Sequence, residues 1–236
     1  MSGVREKRIM KKENLNIVIV DYQLSNLFSV ENACRYIGLE AKISSIKKEI
    51  ERADALIFPG VGAFHDAMVK LNKLDLVSPI LDFINSGKPF FGICLGLQLL
   101  LTDSEEFSNT PGLGVINGHV CKLPNHNDKK EKIKVPHMGW NQIYSNKINR
   151  GNWDNSPLAE NMENEFMYFV HSYYVALENT SDNFILTKYN DFEFCAGVLK
   201  NNIFAVQFHP EKSGSKGLQI YAMWANYILE NHYKNK

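Results

Sequence analysis

Cysteine is scarce and scattered, with Cys34, Cys94, Cys121 and Cys195 the only four in 236 residues. None forms a C-x-x-C pair or has a His-x-x-x-His nearby, so neither a zinc site nor a disulfide framework is expected. Charge of either sign is not in excess, since 26 Lys plus Arg balance 26 Asp plus Glu. Such a chain has no global field to draw it to phosphate backbones or anionic lipid, and neither nucleic acid nor a membrane is expected as partner. Long hydrophobic runs are missing as well, and the basic N-terminus MSGVREKRIMKKENLN lacks the apolar segment of a secretory signal. The expectation is a cytoplasmic protein with a disordered or extended leader over 1–15, Met10 being an alternative start, followed by one domain over 16–236. Neither G-x-G-x-x-G nor a Walker pattern occurs, and no internal repeat or long low-complexity tract is seen. The length suffices to bury a core without a metal or disulfide staple.

What is present is an alternation of apolar strands and amphipathic helices. NIVIVDY (16–22) is a β-branched run, and NLFSVENACRYIG (26–38) follows at helical spacing with Gly38 as a stop. Further strands are expected at 41–45, 53–60 and 88–94, a helical stretch over 64–85 with a break near Pro79, and a helix after Cys94. Apolar strands alternating with helices imply a mostly parallel sheet covered on both faces, with functional groups at the strands' C-terminal ends. Beyond about residue 112 the pattern changes to short strands joined by polar turns, which reads as antiparallel or mixed. A charged loop is expected over 124–134 and a closing helix over 217–232.

Gly92-Ile93-Cys94-Leu95-Gly96 has the form G-x-C-x-G, in which small neighbours let a strained strand-to-helix turn hold a nucleophile exposed. A helix N-terminus at that point would favour the thiolate. A buried core cysteine in a glycine-punctuated turn fits the five residues equally well. VQFHPEKS (206–213) adds weight to the nucleophile, because in extended chain His209 and Glu211 would face one side, about 6–7 Å apart at the backbone. Pro210 fixes the chain between them, so that Glu211 would hold the His209 ring and leave its other nitrogen for Cys94. FPGVGAF (58–64) places two glycines after a strand, where a backbone N–H would join that of Leu95 at a developing oxyanion.

With these elements the chain resembles the class I (triad) glutamine amidotransferases. PGVGAF, GICLGLQLL, PHMGWN (136–141), YFVHSYY (168–174) and FHPEKSG, in this order, resemble most closely the glutaminase subunits of imidazole glycerol phosphate synthases. The resemblance implies an α/β, three-layer, flavodoxin-like fold with a central mostly parallel sheet and an added antiparallel sheet. It further implies Cys94 as nucleophile, His209 as base and then acid, and Glu211 as orienter. Gly62 and Leu95 would supply oxyanion N–H groups, and Gln98, Glu106, His171, Ser172 and Tyr173 would line the glutamine pocket. No metal or organic cofactor is expected. Implied partners are L-glutamine as substrate and a (βα)8-barrel cyclase, in a heterodimer that channels ammonia onto a ribonucleotide of histidine biosynthesis. The family's D-Y-G-x-G-N-L is replaced here by DYQLSNL, with Gln23 and Ser25 at the glycine positions. That departure keeps open a paralogue feeding ammonia to a sugar-amidating synthase. It is weighed beside a free-standing cysteine hydrolase and a degenerate subunit without catalysis.

Overall fold

A computed structural model describes residues 15–24, 26–127, 129–146, 153, 156–158 and 162–232. The expected leader, apart from Leu15, and Ser25 of the DYQLSNL loop lie outside the described residues. In chain order the first half contains β1 (Ile17–Val20), α1 (Leu27–Tyr36), β2 (Ala41–Ser44), α2 (Lys47–Arg52), β3 (Ala55–Gly60), α3 (Phe64–Lys73), α4 (Val77–Asn85), β4 (Phe90–Cys94) and α5 (Leu95–Gln98). The second half contains β5 (Leu101–Ser104), β6 (Thr110–Pro111), β7 (Ile116–Lys122), β8 (His137–Ser145), β9 (Phe166–His171), β10 (Tyr173–Leu177), β11 (Ile185–Tyr189), β12 (Phe192–Lys200), β13 (Ile203–Val206) and α6 (Gly214–His232).

The strands β2-β1-β3-β4-β13 pair in parallel in that order. From β13 the sheet continues through antiparallel β12, β10 and β7 to β5 and β6, and a branch leaves β12 through β11 to β8 and β9. The expected antiparallel addition is therefore joined to the parallel sheet at β12. β1 is buried along its whole length because helices cover both faces. Its alternate residues divide between two cores: Ile17 and Ile19 pack with Val30 of α1 and Trp224 of α6, while Val18 and Val20 pack with Ile50, Met68 and Ile80 of α2, α3 and α4. Phe91 anchors the first core, its ring 5.2 Å from that of Trp224.

Two expectations about helices are corrected. The break in the stretch over 64–85 falls between Lys73 and Val77, where Asp75 adopts φ +50°. Pro79 instead sits in the first turn of α4, where its missing N–H has no intrahelical partner to lose. The closing helix begins at Gly214 rather than Gly217. No helix among the described residues is long and apolar enough to cross a membrane.

Candidate active site

The nucleophile candidate ends the central strand. β4 is buried from Phe90 to Cys94, and Cys94 turns sharply with φ +53° and ψ −106°. A left-handed non-glycine residue costs about 1–2 kcal/mol, so the packing around it has to hold it there. The flanking glycines permit that close packing. A Cβ on Gly92 would lie 2.9 Å from that of Ala205, and one on Gly96 would strike the Phe58 carbonyl. The expected helix does follow, though α5 has only 4 residues. Its Leu99–Leu101 continuation reads as helical but bends into β5, which pairs with β7. What α5 offers the sulfur is the free N–H groups of one turn rather than a long helix dipole.

The parallel pairing of β13 with β4 sets Val206 opposite Ile93, so the chain after Val206 passes Cys94. His209 is extended, but Pro210–Lys212 form a 3₁₀ turn, not the continuous strand expected from the spacing. The turn still brings Glu211 Oε1 within 2.8 Å of His209 Nδ1, with both side chains only 2% exposed. Because a carboxylate accepts, Nδ1 carries the proton and Nε2 is left for the nucleophile. In the resting site Nε2 makes no well-formed hydrogen bond, a looseness common before substrate binds. Burial alone would lower the His209 pKa, yet the neighbouring Cys94 sulfur and Glu211 carboxylate outweigh it and hold the ring well above the ordinary imidazole value. Ser213 steadies the turn by donating from Oγ to the His209 carbonyl at 2.7 Å and accepting the Tyr168 N–H at 3.0 Å.

Gly62, Cys94, Leu95, Gln98, Glu106, His171, Ser172 and Tyr173 come from distant stretches of chain, and all line one cleft of about 480 Å³. That volume is in the range of small-molecule sites. Gly62 has φ +101°, a backbone open to glycine, whereas the neighbouring Val61 N–H is already committed to the Leu24 carbonyl at 2.9 Å. Glu106 Oε2 accepts the Phe64 N–H at 2.6 Å, tying the cleft to the start of α3, and burial raises its pKa. His171 Nδ1 lies 2.9 Å from the Tyr173 carbonyl, which only accepts, so Nδ1 is protonated and Nε2 is the acceptor. His137 Nδ1, 3.0 Å from that Nε2, is then the donor. Burial pushes His137 down to about 4 and His171 to about 3, so both rings are neutral near pH 7.

Sequence reasoning missed Gln207, Ser213, and the rim residues Asn26 and Lys212. All four lie inside quoted motifs, Asn26 in DYQLSNL and Gln207, Lys212 and Ser213 in VQFHPEKS, and that position was the available signal. His137 falls within PHMGWN, but nothing in that motif marks it as the partner of His171. Among the described residues no cluster of three or more His, Cys, Asp or Glu is placed to hold a metal ion.

An elbow cysteine beside a buried His-Glu pair, on this sheet, is what the resemblance to class I glutamine amidotransferases implied, and the family model "Glutamine amidotransferase class-I" matches residues 18–224. The chain belongs to that family, and within it to the HisH subunits of imidazole glycerol phosphate synthase. It is 45% identical over 86% of its length to the imidazole glycerol phosphate synthase subunit HisH of Syntrophotalea carbinolica, covering 96% of that protein. The subunit HisH of Prochlorococcus marinus is 41% identical over 92% of this chain and 99% of its own. These relatives do not favour the sugar-amidating alternative. In fold the chain is similar to PurLQS from Thermotoga maritima, with a TM-score of 0.66 at 18% identity over 93% of this chain and 100% of that one. A glutamine amidotransferase of known crystal structure likewise gives 0.66 at 16% identity, over 89% and 98% respectively.

Proposed function

We propose that Cys94, His209 and Glu211 hydrolyse the side-chain amide of L-glutamine in this cleft. They are the residue-level account of an activity that family membership assigns: the chain is the glutaminase subunit of an imidazole glycerol phosphate synthase, in histidine biosynthesis. The observation that carries the triad is the buried 2.8 Å contact of His209 with Glu211 behind a cysteine held at φ +53°. The Cys94 thiolate attacks the amide carbon, and the N–H groups of Leu95 and Gly62 receive the oxyanion. His209 protonates the departing ammonia, then takes a proton from the water that cleaves the thioester and releases glutamate. Glu211 holds the ring in register throughout. Around the substrate, Glu106 meets the α-ammonium with its free carboxylate oxygen, while Gln98, His171, Ser172 and Tyr173 fix the rest of the molecule.

The ammonia passes, in this reading, to a (βα)8-barrel cyclase docked over the cleft in a cytoplasmic heterodimer. Its support is an outward face of β8 and β9 on which Met138, Trp140 and Phe166 are more than half exposed. Met138 pairs with Val170, which itself lines the cleft, so this apolar face runs up to the cleft's rim. Exposed aromatic residues beside a site are the usual anchors of an interface.

Glutamate release from glutamine by the purified chain, with and without its cognate cyclase and the cyclase's ribonucleotide substrate, tests both statements. Stimulation by the cyclase is expected. Cys94→Ala should abolish glutamine-dependent synthesis while ammonia-dependent synthesis by the cyclase persists; loss of both would make Cys94 a structural residue.

A further inference from the structure

The Cys94 sulfur has a polar neighbour that the triad does not account for. Gln207 is wholly buried, and its side-chain Nε2 lies 3.6 Å from Cys94 Sγ, within range of a hydrogen bond to sulfur. It occupies the first position after β13, two residues before His209, so the strand that delivers the base delivers this amide as well.

The orientation of the amide follows from its neighbours. The Tyr173 carbonyl only accepts, so the Gln98 atom 2.9 Å from it is the NH₂ nitrogen. That same nitrogen lies 3.1 Å from Gln207 and can only donate, so the Gln207 atom facing it is Oε1. The other end of Gln207, its NH₂ group, is thereby turned to the sulfur. A relay that begins at a backbone carbonyl of β10 ends as an N–H aimed at Cys94.

We infer that Gln207 is a catalytic residue that donates a hydrogen bond to the Cys94 thiolate, and that Gln98 is the positioning residue that keeps its amide facing the sulfur. The inference rests on the reading of Cys94 as nucleophile. A buried anion needs donors, and Cys94 is only 6% exposed, with a single helical turn behind it. His209 supplies a donor that comes and goes with its proton. Gln207 supplies one that stays in place when His209 has passed its proton to ammonia, and that is ready when the thiolate leaves the thioester. A second consequence concerns Gln98. Both of its N–H bonds are used inside the protein, so it presents only Oε1 to the cleft and can accept from glutamine but not donate to it.

The test is the pH profile of alkylation by iodoacetamide, with the modified residue located by mass spectrometry. Burial pushes Cys34 and Cys195 up to about 12 and raises Cys121, so the label at neutral pH reports on Cys94. In the unmodified protein the label falls on Cys94. Gln207→Leu removes the donor with little change of volume and should raise the inflection by about one pH unit, the worth of a charge-assisted hydrogen bond, slowing labelling about tenfold at pH values below the inflection. Gln98→Leu should move it in the same direction. If Gln207→Leu does not fold, Gln207→Asn makes the same measurement, since its amide stops one methylene short of the sulfur.

An unchanged inflection in a folded Gln207 variant overturns the inference. A Gln98→Leu protein that binds glutamine more weakly with its inflection unmoved removes Gln98 from the relay. Labelling of the unmodified protein elsewhere than Cys94 would instead refute the nucleophile reading itself.

Discussion

Replacing His137 by phenylalanine should change how the protein responds to acid, by an amount the site makes calculable. The His137 ring stacks on Tyr189 with centroids 4.0 Å apart and on Phe169 at 4.9 Å, contacts that phenylalanine keeps. What it loses is the donor to His171 Nε2, which leaves a buried acceptor unpaired at a cost of about 1–3 kcal/mol at pH 7. The acid response comes from His137 itself, which burial holds at about 4. An unfolded histidine titrates near pH 6.5, so between about pH 6.5 and 4 the unfolded chain binds a proton that the native one does not. Stability present above pH 6.5 is therefore lost as pH falls, at about 1.4 kcal/mol per unit, or roughly 2 kcal/mol between pH 7 and pH 5. The variant lacks this loss. The value of about 4 already contains the effect of Asn141, which acts to raise it, while the buried His209 charge near His171 is present in both proteins. Urea denaturation followed by tryptophan fluorescence at pH 7 and pH 5 should show the stability gap between wild type and His137→Phe narrowing by about 2 kcal/mol. A gap that is the same at both pH values would mean that native His137 protonates like an exposed histidine, and the buried neutral pair would be refuted.

Three further outcomes follow from the same geometry. Gly96→Ala drives a Cβ into the Phe58 carbonyl and should destabilise by about 1–3 kcal/mol while misplacing Cys94; a variant as stable and as active as wild type in chemical denaturation and glutaminase assays would contradict the elbow packing. Glu211→Gln keeps an acceptor for His209 but removes the charge, and kcat for glutamine hydrolysis should fall about 10²–10⁴-fold with little change in glutamine binding. Trp140→Ala should weaken cyclase binding about 30-fold, a loss of about 2 kcal/mol, while the melting temperature of the isolated chain barely moves; unchanged affinity in calorimetry would place the partner elsewhere.

The parallel sheet was legible because β-branched runs such as Ile17–Val20 need no partner to announce that both of their faces are buried. The elbow and the H-P-E segment were legible for a related reason: a strained turn demands glycines at Gly92 and Gly96, and here the orienting carboxylate follows its histidine by only two residues. Even there the means differed from the expectation, since a 3₁₀ turn and not an extended strand joins His209 to Glu211. The helix expected after Cys94 is present but short, because Leu101–Ser104 pairs as β5 beside β7. The polar interior was invisible to any local reading. Gln207 and Gln98 stand 109 residues apart, and His137 and His171 stand 34 apart. Composition and periodicity report which side of an element is buried, and with it the fold, while the short motifs and the resemblance they carry supply the candidate triad. Which buried amide turns its N–H toward Cys94, and which histidine carries the proton between His137 and His171, depend on hydrogen bonds between strands that meet only once the sheet has formed.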